Sequence, residues 1–474
     1  MARIAVIGAG TGAMATAARL AVAGHTVTVH ERGPGPGGAL GRYSRDGFSF
    51  DTGPGLLTLP AVQRDLFVKT GKRPLEDRVE LVQVDPAVRH LLADGRTAVT
   101  LPNASRGGVA AVLDTALGAG AGARWSEFMV RARTAWDRSR RPLLEEPLWP
   151  NWRDLADRDP YPALRGSGLL RRRPPTLAEV ADRELGRPLA ALLTGEARAH
   201  GLDPARVPAS AAILPYMEQT FGSWYVRGGM RALAEALYER CLERRVAFVF
   251  DSPVRGVLVA DGRAAGLRLA DGSEVPADHV VCAVDPLSLP EPPPGLPSPD
   301  AVPPREPATS RQSLFLALRG PRPADTVHRT LVHGPDSAVT VLRPEDPACV
   351  PDPGHEAVTV RTSCPAGEPG DRTEELLAAA RRAVPDLDAR LLWAHPHTPT
   401  DVAAETGARG GAVPPPVLAG GSGAWLYPSN TGPLPGLWLA GGWAHPGGGL
   451  PHAGMTGALV AGLIVEGAEF RGSR

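Results

Sequence analysis

The chain has 474 residues, more than one hydrophobic core ordinarily serves, so two domains are expected. With 43% hydrophobic and 22% charged residues it has the composition of a globular protein and is unlike a disordered chain. Lys plus Arg equals Asp plus Glu at 51 each, so no general electrostatic attraction to nucleic acid is expected. The basic residues are nearly all Arg, with Lys only at 69 and 72, and four cysteines (Cys241, Cys282, Cys349, Cys364) form no CxxC or metal spacing. Structural thiols in a reducing, cytoplasmic setting are the expectation, with no metal. The uncharged run Ala453 to Val465 is too short to span a bilayer and suits a buried helix.

Residues 3 to 31, "RIAVIGAGTGAMATAARLAVAGHTVTVHE", superficially resemble a secretory leader but read better as strand, glycine turn, helix and strand. Ile4 to Ile7 is a short apolar run suited to a buried parallel strand. Gly8, Gly10 and Ala13 fit G-x-G-x-x-G/A, with Thr11 and Gly12 inside the turn. Gly8 permits the tight bend, Gly10 admits a pyrophosphate against the backbone, and Ala13 allows close helix–strand packing. The helix, expected over Ala13 to Ala23, offers amides and positive dipole to the phosphates. Strand Thr26 to His30 ends at Glu31, which is placed to accept hydrogen bonds from ribose hydroxyls. These parts occur in the order a dinucleotide site requires. A second glycine run, "GAGAGA" at 118 to 123, follows a helical stretch (Val109 to Leu117) with no strand before it. It reads as a helix stop and flexible link before Trp125, so no separate nicotinamide domain is expected.

After Glu31 and Arg32, Gly37 and Gly38 form another close-approach segment, followed by Ala39 and Leu40. Asp51, Thr52, Gly53 and Pro54 then make a further turn. A nicotinamide domain has no need of such a segment, whereas a flavin has a ribityl chain and ring to hold. Near the C-terminus, "AGGWAHPGGGLPHAGMTGALVAGLIVE" (440 to 466) has too many glycines for an ordinary turn, so something must approach its backbone closely.

Residues 1 to 60, "EQTFGSWYVRGGMRALAEAL" (218 to 237) and "GLWLAGGWAHPGGGLPHAGMTGALVAG" (436 to 462) resemble, in that order, the blocks of the FAD-dependent phytoene desaturase family, which includes carotenoid desaturases and isomerases. The resemblance implies a Rossmann-like α/β FAD domain of the glutathione-reductase type with a discontinuous α+β substrate domain. It implies that Gly441 to Gly449 pass along the flavin and that a helix beginning near Gly454 points its amides at it, with Gly442, Gly454, Met455 and Thr456 as contacts. It implies also that Val254 contacts the adenine through its backbone. Two departures stand out. The family commonly has Arg after the paired glycines, where this chain has Ala39, with Arg42 as the substitute. Trp443 stands where a small residue is usual, which puts a long carotenoid substrate in doubt.

Residues 246 to 284 read as a meander with hairpin turns at Asp261-Gly262 and Asp271-Gly272, its last run returning to the cofactor sheet. Residues 286 to 309 are Pro-rich and read as a crossing loop. "SLFLALRG", "AVTVLRP" and "AVTVRTS" read as strands of a second sheet. The expected division is 1–65, 206–290 and 426–474 for FAD, with 66–205 and 291–425 for substrate. Within the latter, "RRPLLEEPLWPNWRDL" (140 to 155) and "GLLRRRPP" (168 to 175) read either as a solvated helical face or as a peripheral membrane-docking surface.

For chemistry, a flavin takes up a hydride and the protein supplies position and exclusion of water. The expected ring-facing groups are Trp224, Tyr225, Trp443 and His445, with His445 as a proton shuttle or a loop-fixing hydrogen bonder. The Lys and acidic-loop pattern of classical amine oxidases is absent. The expectation is therefore hydride transfer on an apolar polyene or isoprenoid, with the electron acceptor open. A reductase or reductive cyclase, and a redox-inactive prenyl-lipid escort, stay as alternatives, the intact fingerprint and Glu31 speaking against the escort.

Overall fold

A computed structural model describes residues 1–148, 152–164, 173–296, 308–368 and 370–472. Five parallel strands form one sheet in the order Ala247–Val249, Thr26–His30, Arg3–Ile7, His279–Cys282, Leu437–Leu439. Segments distant in sequence thus share one sheet, and both of its faces are covered. Ile4 and Val6 pack on one face with Met14, Ala17 and Leu233; Ala5 and Ile7 pack on the other with Leu267 and Val280. The apolar run is the signature of that double burial, each large side chain contributing roughly 1.5–3 kcal/mol.

The helix Thr11–Val22 covers the first face, and the helix Leu450–Glu466 lies against it. Small residues make the approach possible. A Cβ on Gly457 would stand 2.7 Å from the Ala15 Cβ. The other face is covered by the three-stranded meander Val254–Ala260, Arg263–Leu269 and Glu274–Pro276. Asp261 and Gly262 turn its first hairpin with φ of 50° and 73°, the paired left-handed geometry of a type I′ turn.

A second sheet of seven strands runs in the order Leu391–His397, Thr309–Arg319, His355–Pro365, Ala338–Leu342, Arg329–His333, Val88–Leu91, Ala98–Leu101. All its pairings are antiparallel except that of Arg329–His333 with Val88–Leu91. Leu314, Leu316, Val358, Val360 and Val341 pack with Leu376 and Ala380 of the helix Thr373–Ala383. The alternate positions face the other way; toward one end they are polar (Thr309, Arg311, Ser313, Arg361, Ser363 and Thr340), while Phe315, Ala317 and Ala357 pack with Phe48 and Phe50.

Helices between residues 106 and 221 enclose a third core that includes Leu113, Trp125 and Phe128. Here the sequence expectation needs correction. The "GAGAGA" run is a tight corner between helices Arg106–Leu117 and Ala121–Arg140 and makes no flexible link. Gly122 packs so closely that a Cβ would meet the Ala110 carbonyl at 2.3 Å, and Trp125 is buried inside the second helix. The helix expected from Gly454 starts a turn earlier, at Leu450. Parts of the Pro-rich crossing (297–307) and of the two Arg- and Trp-bearing segments (149–151, 165–172) lie outside the described residues. All four cysteines are buried and free. Among the described residues no helix is long and apolar enough to cross a membrane.

Candidate functional site

A cleft of about 680 Å³ runs between the parallel sheet, the second sheet and the helical segment. That lies within the roughly 300–1,000 Å³ range of small-molecule sites. Its floor is the sequence-predicted cradle. Gly8 has φ of +89° and donates its N–H to the His30 carbonyl at 2.8 Å, closing the turn. Gly10 caps the helix Thr11–Val22 with no side-chain bond, so the Thr11, Gly12 and Ala13 amides lack intrahelical partners. A Cβ on Gly10 would meet no protein atom within 4 Å, whereas one on Gly12 would stand 2.6 Å from the Gly441 Cα.

Glu31 is held by two backbone bonds, Ala9 N–H to Oε2 at 2.7 Å and Gly33 N–H to Oε1 at 2.9 Å, with its carboxylate on the cleft wall. Arg32 reaches across to the carbonyls of Ala403 and Ala404. Gly38, Ala39, Leu40, Gly53, Pro54 and Val254 complete this wall. Gly37 sits just behind it, its N–H donated to the Ala9 carbonyl at 2.9 Å, so it shapes the wall without lining it. Ala13 is buried in the helix–sheet core. Arg42 donates to the Gly228 carbonyl and does not line the cleft.

The glycine-rich C-terminal segment forms the opposite lip. Gly441, Gly442, Gly448 and Gly449 line the cleft, and Gly449 caps the helix Leu450–Glu466 with no side-chain bond. The Leu450 and His452 amides are therefore open, as at the first helix. Two helix N-termini, each favouring negative charge, open on one space. Because the helix starts at Leu450, its first turn, Leu450 to Ala453, meets the cleft. Gly454, Met455 and Thr456, predicted as contacts, lie one turn deeper. Gly454 packs toward Val62 and Gln63, and Thr456 donates to the His445 carbonyl at 3.2 Å.

Of the four expected ring-facing groups, the cleft is lined by Trp443, half-buried in the turn Gly441–Trp443. His445 is fully buried behind it, with Nε2 2.9 Å from the Glu146 carbonyl and its own carbonyl accepting from Asn430 Nδ2 at 2.6 Å. Burial holds its imidazole down at about 4, so it is neutral at ordinary pH. That geometry fits the loop-fixing alternative, since the ring is fully buried and does not line the cleft. Trp224 and Tyr225 are corrected likewise. They occupy the middle strand of a small sheet with Leu57–Thr58 and Leu81–Gln83. The Trp224 indole donates to the Phe221 carbonyl at 2.9 Å, and the Tyr225 hydroxyl donates to Asp346 at 2.9 Å, both off the cleft.

Sequence reading missed the wall made by the second sheet: Thr309, Arg311, Thr340, Arg361 and Ser363. A signal was there, for "TSRQS" and "RTS" are polar runs within otherwise apolar strands. Arg329 sits among acids, Nη1 at 3.1 Å from Glu218 and Nη2 on Glu196. Burial pushes the nearby Asp51 up to about 6 although Met230 N–H donates to it. Leu56, Leu214, Met217 and Leu342 give the cleft an apolar stretch, and among the described residues no Lys lines it.

The family model for flavin containing amine oxidoreductases matches residues 14–465. A zeta-carotene-forming phytoene desaturase of Myxococcus xanthus is 33% identical over 60% of this chain and 53% of that protein. The chain thus spans about half the length of that relative. A phytoene dehydrogenase of Streptomyces griseus is 31% identical over 86% of this chain and 84% of its own. An oxidoreductase structure from Methanosarcina mazei, 18% identical, has the same fold, with a TM-score of 0.64 over 96% of this chain and 98% of that one. The chain belongs to the flavin containing amine oxidoreductase family, and its cofactor is FAD.

Proposed function

From its membership of that family we propose that the protein is an FAD-dependent oxidoreductase that moves a hydride between the flavin and an apolar polyene or isoprenoid. The observation that carries this reading is the pair of uncapped helix N-termini, at Thr11 and Leu450, opening on a cleft with an apolar stretch beyond them. The relatives named above are desaturases or dehydrogenases of polyenes, which supports the substrate class.

Thr11 to Ala13 would hold the pyrophosphate through backbone amides, and Glu31 would accept from the ribose hydroxyls. Gly38 to Leu40, Gly53, Pro54 and the Gly441 to Gly449 lip would hold the rest through backbone contacts. Bound there, FAD supplies a hydride acceptor when oxidised and a donor when reduced. The amides of Leu450 and His452 would stabilise negative charge developing on a flavin bound beside them. Leu214, Met217 and Leu342 seat an apolar chain and exclude water, and the indole of Trp443 narrows its passage. In this division residues 1–65, 206–290 and 426–474 serve the cofactor, and 66–205 and 291–425 serve the substrate. With no second dinucleotide cradle in the sequence, a quinone, oxygen or a partner protein takes the electrons.

The test is anaerobic mixing of holoprotein with acyclic isoprenoid polyenes in detergent micelles, following oxidised-flavin absorbance. Bleaching by at least one of them is expected. If none bleaches the oxidised flavin and none reoxidises the reduced form, the reading is wrong. Rapid reduction by NADPH alone would overturn the choice of acceptor.

A further inference from the structure

Two arginines stand on the cleft wall with no acid to pair them. Arg311 on the strand Thr309–Arg319 is opposite Ser363, and Arg361 on the strand His355–Pro365 is opposite Ser313, so both point from one sheet face as diagonal neighbours. Arg361 donates Nη1 to the Gly53 carbonyl at 2.5 Å, while its Nε and Nη2 are buried without a partner. Arg311 makes no hydrogen bond or ion pair with any described residue. The carboxylate that acts on Arg361 is Asp51, which already accepts from Met230 N–H.

Every other charged group on this wall is engaged. Arg329 is paired with Glu196 and Glu218, Arg32 with carbonyls, Glu31 with amides, and Glu405 with Thr52 and His397. Burial beside a like charge pulls the Arg361 guanidinium down to about 9, and burial lowers Arg311 as well. Both side chains are half-buried on the cleft wall, and the two buried, unpartnered nitrogens of Arg361 are costly unless an anion joins them. The Thr309 and Ser363 hydroxyls border the same spot, facing Gly201 at the end of the helical segment.

Building on the proposed hydride-transfer reading, we infer that Arg311 and Arg361 form a carboxylate subsite, so that the substrate is a polyene or isoprenoid acid with its head on the guanidinium pair and its chain along Leu214, Met217 and Leu342. A carboxylate offers two acceptor oxygens to a pair of guanidinium forks, which a hydrocarbon cannot. The phosphates of FAD would be held elsewhere, by the Thr11 to Ala13 amides beside the parallel sheet. Arg361, bonded to the carbonyl of Gly53 on the cofactor wall, fixes how far the head lies from the flavin.

The probe is cis-parinaric acid, a fluorescent tetraene acid, against its methyl ester, titrated into FAD-loaded protein. The acid is expected to bind at least about 10-fold more tightly than the ester, the size of one good charge-assisted contact. Arg311→Gln with Arg361→Gln should bring acid and ester within about threefold of each other while flavin content holds. Should the double variant fail to fold, Arg311→Gln alone keeps the Gly53 contact and should narrow the gap. Equal binding of acid and ester to the wild type overturns the subsite and leaves the apolar-substrate reading standing. Binding of neither probe overturns both. If the Gln variants keep the acid preference, or release FAD without changing it, the arginines serve another purpose and the inference falls.

Discussion

A Cβ placed on Gly12 would stand 2.6 Å from the Cα of Gly441. Residues more than four hundred positions apart in sequence are thus in backbone contact, and the cofactor cradle is built across that contact. Gly10, two residues earlier, faces open space instead. The two glycines should therefore fail differently. Gly10→Val, at an N-cap with φ of −75°, leaves the apoprotein's melting temperature nearly unchanged but abolishes FAD binding. Gly12→Val forces the two segments apart and costs the apoprotein about 1–3 kcal/mol. Thermal melts of apoprotein and flavin-to-protein ratios check both. A Gly10→Val protein that keeps full FAD would show that the cradle is misassigned. FAD should also come free on acid precipitation, since no covalent attachment motif is present.

His445 gives a pH prediction. Its folded pKa, about 4, lies below the ordinary His value, so the unfolded chain binds a proton that the folded one refuses. Its stabilising contribution is complete above about pH 6.5 and is lost progressively as pH falls toward 4, to the extent of about 3 kcal/mol. Buried His452, also near 4, adds a loss of the same sign. Denaturant titrations across that window should show falling stability, shallower for His445→Gln. Turnover of the His445→Gln holoenzyme should keep the wild-type pH profile. A shifted profile would restore the proton-shuttle role.

Arg329 bridges the buried Glu196 and the partly exposed Glu218. Arg329→Met strands both, and unfolding free energy should drop by about 3–5 kcal/mol. Adding Glu196→Gln and Glu218→Gln should recover much of it. Chemical denaturation of the single and triple variants measures this directly. A single variant within about 0.5 kcal/mol of wild type would mean that the acids find other partners.

Trp443 lines the cleft in the glycine-rich turn Gly441–Trp443, whose neighbours are proposed to hold the cofactor through backbone. Trp443→Ala should keep flavin content and broaden the range of polyenes that bleach it toward longer, more extended ones. Comparing bleaching rates across a chain-length series reads this out. An unchanged profile, or loss of FAD, would make the indole a packing element.

The sequence by itself determined the cofactor cradle, because that chemistry is local. Gly8, Gly10, Gly12 and Glu31 lie within one strand–turn–helix–strand unit whose spacing is dictated by backbone geometry. The strands at Ile4 to Ile7, Thr26 to His30, His279 to Cys282 and Leu437 to Leu439 were legible too, whereas Ala247–Val249, which read as part of the meander, joins the parallel sheet as an edge strand. Tertiary structure decided what long-range packing controls. The helix expected from Gly454 begins at Leu450, and that single turn puts Leu450 through Ala453 on the cleft in place of Gly454, Met455 and Thr456. Trp224, Tyr225 and His445 looked like site residues because they flank glycines, but which way a side chain points depends on what packs behind it. The arginine wall came from strands paired across some fifty residues, Arg311 beside Arg361. A polar run in each strand could announce a polar face, but only the pairing register brings two guanidinium groups to one spot and leaves them without an acid.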